Sequence, residues 1–368
     1  MTKLLVFSDL HLDTPFKWAP PGLARARRMA LRTTLTRIMS LAEDNDVDAI
    51  LCAGDLYEHE RFSPDTTAFL RQTFADSNRA VYLAPGNHDW YGPASLYRMA
   101  DWTPNVHVFT EARFVPVDLI EGVTLWGAAH RAPANTDGFF ENDFRVDRNG
   151  VNIALFHGSE SAQLFYQESG KVPHAPFSAE QIEHSGLDHA FVGHFHTPRD
   201  AARHTYPGNP DPLTFGETGP RGAILATIAP DGTVMCERHT VAASTVHDVS
   251  VDVTGATSSS DIYAKAEAAL QGLTGVARVT LHGDVAPEVD VRLSDLVGIS
   301  SGLDAIVPRL GRIGVTYDLV SLAAEQTVRG QFVRDVQAST NLDENQRRRV
   351  LVTGLRALDG RTSELEVH

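Results

Sequence analysis

VGHFH, residues 192–196, ends the apolar run Ala190-Phe191-Val192 and carries two imidazoles two positions apart. Side chains at i and i+2 of an extended chain point to the same side. Two readings stand for the pair. It is a core strand with satisfied histidines, or a strand end that aims His194 and His196 at something bound there. Four other segments share its form, an apolar run followed at once by Asp, Asn or His. They are SDLH (Asp9, His11), GDLY (Asp55), GNHD (Asn87, His88, Asp89) and FHG (His157). In layered α/β sheets ligands bind at the carboxyl ends of strands. The five segments are therefore expected to converge, although they are spread over residues 9–196.

Short apolar or β-branched runs bounded by Gly, Pro or Asp predict strands at 4–8, 49–53, 80–84, 123–127, 152–156, 189–192 and 223–228. Between them, residues 24–43 place Met29, Leu31, Leu35, Ile38 and Leu41 on one helical stripe, and 65–77 form a shorter helix. Strands covered by helices imply an α/β layered domain over residues 1–240. VHDVSVDVTG, a helix at 261–271 and ARVTLHGDV then read as a small α+β module at 245–318. Residues 320–368 read as two amphipathic helices, LAAEQTVRGQFVRDVQA and ENQRRRVLVTGLRALDG, the second capped by Asp343.

A chain of 368 residues suggests two or three domains. No apolar run reaches the ~18–20 residues of a membrane span. The first residues, MTKLLVFSDLH, lack a signal-peptide pattern. Two cysteines, Cys52 and Cys236, cannot form a disulfide framework, so a reduced, cytoplasmic protein with buried thiols is expected. The net charge of −15 argues against a broad basic face for nucleic acid. It leaves room for carboxylates that hold divalent cations and change the local sign.

Asp9, His11, Asp55, Asn87, His157, His194 and His196 together offer more donors than one tetrahedral zinc needs. They fit two ions sharing a carboxylate. The mix of oxygen and imidazole suits Mn²⁺, Fe or Zn²⁺ better than an all-oxygen Mg²⁺ site. Two ions form the usual clamp for attack on a phosphate ester by a hydroxide held between them. His88, beside Asn87, is too crowded for the same shell. It is expected to stabilise transition-state charge or protonate the leaving oxygen, with Asp89 orienting it.

D-x-H, GD, GNHD, H and GHxH in this order resemble the calcineurin-like metallophosphoesterase superfamily. SDLHLDTPF, AGDLYE, PGNHDWY and GHFHTPR followed by YPGNPDPLTFGETG are similar to SbcD-type DNA repair exonucleases, in particular the shorter YhaO-like bacterial branch. The resemblance implies an α/β fold with a layered β-sandwich core flanked by helices, a small α+β capping domain and a C-terminal helical pair. By it, Asp9, His11, Asp55 and His196 hold one ion. Asp55, Asn87, His157 and His194 hold the other. It implies a Mn²⁺-dependent DNA nuclease subunit, a 3′–5′ exonuclease and endonuclease, dimeric through the phosphoesterase domain. The partner is an SMC-like (SbcC-type) coiled-coil ATPase, in DNA repair or defence. Mg²⁺, Fe and Zn²⁺ stand as alternative ions. One departure is Glu58, three residues after the bridging Asp, where archaeal and eukaryotic members carry His.

Arg25, Arg27 and Arg28 follow the first metal-bearing loop, so they line a DNA backbone or form a solvated helix face. Val328, Phe332, Val333 and Val336 form an apolar stripe, covered by their own domain or by the partner ATPase, which the resemblance favours. Arg347, Arg348 and Arg349 are expected to be solvated or to meet an acidic partner helix. Two other functions remain open. One is a small-molecule phosphatase or cyclic-nucleotide phosphodiesterase with the same ions. The other is a non-catalytic scaffold subunit of an ATPase complex.

Overall fold

A computed structural model of the protein describes residues 1–134, 136–140, 144–146, 149–166, 172–299 and 302–360. Two compact units divide the chain, Met1–Thr245 and Val246–His368. In the first, strand Thr2–Phe7 runs parallel to Ala49–Cys52, which runs parallel to Ala80–Leu83 and so to Val106–Val108. On its other side Thr2–Phe7 meets Gly222–Ile228 antiparallel, and Val234–Thr240 closes that edge. A second six-stranded sheet orders Val115–Ile120, Val123–Gly127, Val151–His157, His189–Gly193, His204–Tyr206 and Arg199–Asp200.

Strand alternation builds the layers. Leu4, Val6 and Leu51 pack between the sheets against Leu125, Ile153, Leu155 and Phe191. Leu5, Phe7, Ile50 and Cys52 face the opposite way, onto Leu31, Leu35 and Ile38 of helix Pro21–Asp44 and onto Leu70 and Phe74 of helix Pro64–Asp76. On the second sheet Phe156 and Val192 meet Ile182 of helix Ala179–Ser185. Helix, sheet, sheet and helix layers make the expected mixed α/β sandwich.

All seven strands expected from the sequence form. Val106–Val108, Val115–Ile120 and Val234–Thr240 were not foreseen, nor were the short Arg199–Asp200 and His204–Tyr206. The first has three residues, the second contains Pro116, and the third carries Glu237, Arg238 and His239 on a sheet edge. Helix Pro21–Asp44 turns inward the stripe Ala24, Arg27, Leu31, Thr34, Leu35, Ile38 and Ala42. Met29, expected on that stripe, is 53% exposed. Cys52 is buried, but Cys236 is only half-buried because it sits in the edge strand.

In the second unit, Val246–Asp252, Gly275–Val285 and Leu303–Val315 form a parallel three-stranded sheet. Helix Ser259–Leu270 packs Ile262, Ala266 and Leu270 onto Val279 and Leu281 of that sheet. The helix expected across 322–338 is broken. Leu319–Ala324 and Val328–Ala338 are separate, because Thr327 caps the second through its hydroxyl and the Gly330 amide (3.1 Å). Helix Glu344–Leu358 starts at Asp343 with a reciprocal Gln346 bond, as expected.

The apolar stripe proves to be core. Val333 and Val336 are buried with Leu322, Leu351, Val352 and Leu355, and Phe332 packs on the same cluster. A Cβ on Gly354 would meet the Phe332 ring at 2.2 Å, so that glycine admits the ring. Three of the four expected partner residues are thus covered by this unit's own helices, and only Val328 stays exposed, at 74%. Arg347 donates to the Ser339 and Leu342 carbonyls and Arg348 pairs with Asp284, so neither is simply solvated. Among the described residues no helix is long and apolar enough to cross a membrane.

Candidate metal centre

The carboxyl ends of the parallel strands deliver the site. Asp9 follows Thr2–Phe7, Asp55 follows Ala49–Cys52, and Asn87 follows Ala80–Leu83. His157 ends Val151–His157, and His194 follows His189–Gly193. Glycines permit the crowding. A Cβ on Gly193 would stand 2.0 Å from the Ala53 carbonyl oxygen, and one on Gly86 would stand 2.3 Å from Asp55 Oδ1. Asp9, His11, Asp55 and His194 all have positive φ (54°, 50°, 52° and 110°). Such backbone costs about 1–3 kcal/mol per residue and persists where the surroundings over-determine it.

The donor atoms face one another. Asp55 Oδ2 lies 3.3 Å from His157 Nε2 and 3.6 Å from His11 Nε2. Asn87 Oδ1 is 3.0 Å from the same His157 nitrogen. His157 Nδ1 is tied to the Ala53 carbonyl (2.9 Å), which turns Nε2 to the centre. The His194 amide donates to Asp9 Oδ1 (3.0 Å), and the His194 ring stands 5.2 Å from that of His157. Two groups whose donor atoms lie within 4.8 Å of one another, Asp9/His11/His196 and Asp9/Asp55/His157, consist wholly of residues expected as ligands.

The closest two imidazole nitrogens are those of His11 and His196, whose Nε2 atoms stand 3.2 Å apart. Each ring commits its Nδ1 to a carboxylate, His11 to Glu58 (2.9 Å) and His196 to Glu217 (2.8 Å). Each Nε2 then carries a lone pair in the neutral ring, and two lone pairs at this distance need a positive centre between them. A proton or a metal ion fills that need. Imidazoles oriented by carboxylates, with Asp and an Asn oxygen beside them, fit a borderline divalent ion.

Electrostatics follow from the packing. Burial pulls His157 down, but the Asp55 carboxylate overrides it and pushes the ring up to about 9. Burial would raise Asp55, yet His157 and His88 hold it well below its ordinary 3.8. Burial and the neighbouring His157 keep His194 well below 6.5, in the neutral form a ligand needs. Partial burial opposes a charge on His88, but Asp55 and Glu58 push it up to about 9.

Asp89 does not orient His88. It is fully buried and accepts from the amides of Gly86 (2.6 Å), Asp55 (3.1 Å) and Leu56 (2.6 Å) and from the Tyr97 hydroxyl (2.5 Å). It staples the Asp55 and Asn87 loops together. His88 is held instead by Glu58, at 3.0 Å through Nδ1. In the sequence Glu58 stands out only as a departure from a family His, and Glu217 only within the stretch YPGNPDPLTFGETG; that they hold these histidines was not foreseen. Glu217 also accepts from Asn209 (2.7 Å) and the Leu213 amide (2.6 Å), so the downstream YPGNPDPLTFGE stretch fixes His196. His130 and His174, which lack a motif, also border the centre. His130 Nε2 meets the His157 carbonyl at 2.8 Å, and the His174 ring lies 5.3 Å from His194.

Arg27 is not a DNA contact. It is 3% exposed, pairs with buried Asp211, bonds the Pro212 carbonyl and lies over the Phe16 ring. Its position on the helix faces inward, one turn before Leu31. Arg25 is exposed and Arg28 half-exposed.

The profile of the calcineurin-like phosphoesterase family matches residues 2–198. The chain is 29% identical over 238 residues to the uncharacterized metallophosphoesterase YhaO of Bacillus subtilis, covering 60% of this chain and 56% of that protein. It is 32% identical over 226 residues (52% of this chain, 46% of the relative) to the DNA double-strand break repair protein Mre11 of Methanopyrus kandleri. It is 27% identical over 270 residues (69% and 56%) to the Mre11 protein of Haloferax volcanii. The chain thus spans about half the length of the curated relatives it matches. With the matched region holding the converging strand ends, the chain belongs to the calcineurin-like phosphoesterase family.

Proposed function

We propose that this protein is a two-metal DNA phosphodiesterase, a nuclease with 3′–5′ exonuclease and endonuclease action. The observation that carries this reading is the His11–His196 Nε2 pair at 3.2 Å, each ring anchored by its own carboxylate. Asp9, His11, Asp55 and His196 would hold one ion, and Asp55, Asn87, His157 and His194 the other. Mn²⁺ is the expected ion. When bound, the ions supply a nucleophilic hydroxide at neutral pH and a clamp on the phosphate. Glu58 and Glu217 keep the Nε2 atoms of His11 and His196 aimed inward. Asp89 holds the two loops in register. His88, charged and 44% exposed on its side chain, is placed to meet phosphate oxygens or give a proton to the leaving oxygen.

DNA as substrate is supported by similarity to proteins named for double-strand break repair. An SMC-like ATPase partner, a homodimer through the phosphoesterase unit and a capping role for 245–318 belong to the same proposal. The test is cleavage of single- and double-stranded DNA by the purified protein with Mn²⁺, with and without that ATPase, beside cyclic nucleotides and phosphomonoesters. Cleavage lost in His88→Ala supports the proposal. Intact DNA alongside turnover of a small phosphate ester would replace the nuclease with a small-molecule phosphodiesterase.

A further inference from the structure

Beside the metal centre lies a cavity of about 490 Å³, lined by Glu58, His59, Arg61, Asn87, His88 and Trp90 among others. This volume is in the range of small-molecule clefts. One feature of its wall serves no step of the chemistry above. The His59 and Trp90 rings are stacked, with centroids 4.3 Å apart and planes 29° from parallel. Both are only partly buried. The pair is rigid. The His59 amide donates to the His88 carbonyl (2.9 Å), which locks the Glu58 loop to the His88 loop. The indole lies against Gly92, where a Cβ would come within 2.0 Å of the ring. A two-ring platform thus stands beside His88, one ring from each loop. Arg61, exposed on the same wall, adds a cation.

We propose that the His59–Trp90 pair is a nucleobase platform, on which the base of the nucleotide next to the scissile phosphate stacks. This rests on the phosphodiesterase reading and adds the recognised group, a planar base rather than the phosphate alone. Aromatic platforms bind single-stranded nucleic acid with little regard to base identity, because every base has a π face. A phosphomonoesterase for aliphatic esters has no use for such a wall.

The test compares two short oligonucleotides, one ending in thymidine and one ending in an abasic tetrahydrofuran residue, cleaved with Mn²⁺. In the native protein, removing the base raises KM about tenfold, the size expected for one base–aromatic stack. In Trp90→Ala the two oligonucleotides share one KM, and Trp90→Phe keeps most of the difference. His59→Ala, which removes the second ring, narrows it. An equal abasic penalty in native protein and Trp90→Ala would overturn the proposal, as would no penalty in the native protein. If the native protein cleaves neither oligonucleotide, the nuclease reading fails. Quenching of tryptophan fluorescence by thymidine 5′-monophosphate, present in native protein and lost in Trp90→Phe, then still decides whether the platform binds a base. Equal quenching in both would overturn it.

Discussion

Glu58 Oε2 lies 3.0 Å from His88 Nδ1, and the other oxygen of the same carboxylate lies 2.9 Å from His11 Nδ1. One carboxylate thus sets a residue placed for phosphate chemistry and a residue placed to hold an ion. Burial would raise Glu58, but its bonds to His11 and His88 bring it down to about 2, so it is ionised at every working pH.

Glu58→Gln removes the charge and keeps the shape. Activity that needs charged His88 is lost as pH rises through the His88 pKa. Without the Glu58 charge that pKa falls, so the alkaline limb of the pH–rate profile moves to lower pH. At neutral pH kcat drops about 10–100-fold, the range for losing a carboxylate that orients a metal-ligating imidazole, with a small change in melting temperature. A profile unchanged from the native one would remove Glu58 from the mechanism.

The Asp55–His157 pair predicts how the metal-free protein responds to pH. The folded value of His157, about 9, is above the ordinary 6.5. Its contribution to stability is complete below pH 6.5 and is lost as pH rises through about 9. Asp55 is held below 3.8, so its contribution is complete above that value and is lost as pH falls through the lowered one. Thermal melts after chelation are therefore expected to show higher stability at pH 7, where the histidines held below 6.5 are neutral in both states, than at pH 9.5. Asp55→Asn flattens this difference. Mn²⁺ added at pH 7 displaces the protons, and unbuffered titration reads their release.

The arginines of helix Pro21–Asp44 separate by burial. Arg27→Ala removes the cation paired with buried Asp211, which keeps its bonds from Thr34, Ala243 and Ser244; breaking a buried ion pair costs roughly 3 kcal/mol and shows as a large fall in urea midpoint. If the DNA proposal holds, Arg25→Ala and Arg28→Ala leave stability within about 0.5 kcal/mol and weaken DNA binding with a shallower salt dependence. Filter binding across a salt series distinguishes them. An unchanged slope would mark Arg25 and Arg28 as a solvated face.

Much of the fold was legible because it is written locally. Short apolar runs that stop at Gly-Asp, Gly-Asn or Gly-His mark strand ends, and the glycines are needed where a Cβ would strike Ala53 or Asp55. Asp55, Asn87 and His194 stand directly on such ends, Asp9 and His157 mark two further strand ends, and Asp55 Oδ2 does face both His11 and His157. Relationships made only by tertiary approach were not legible. Asp89 follows His88 directly, yet its carboxylate turns to the Asp55 loop while Glu58 reaches back from 30 residues earlier. Arg27 is a cation in a run of arginines, and its burial depends on Asp211, 184 residues away. The stripe Phe332, Val333 and Val336 has the same periodicity whether its cover is a partner or helix Glu344–Leu358.

The central claim is that these strand ends hold two ions sharing Asp55. Anomalous diffraction from crystals grown with Mn²⁺ tests it most directly. Two peaks are predicted, one bound by Asp9, His11 and His196, the other by Asn87, His157 and His194, with Asp55 touching both. In His194→Ala the second peak is lost and the first remains. A single ion, or peaks away from Asp55, would contradict the account.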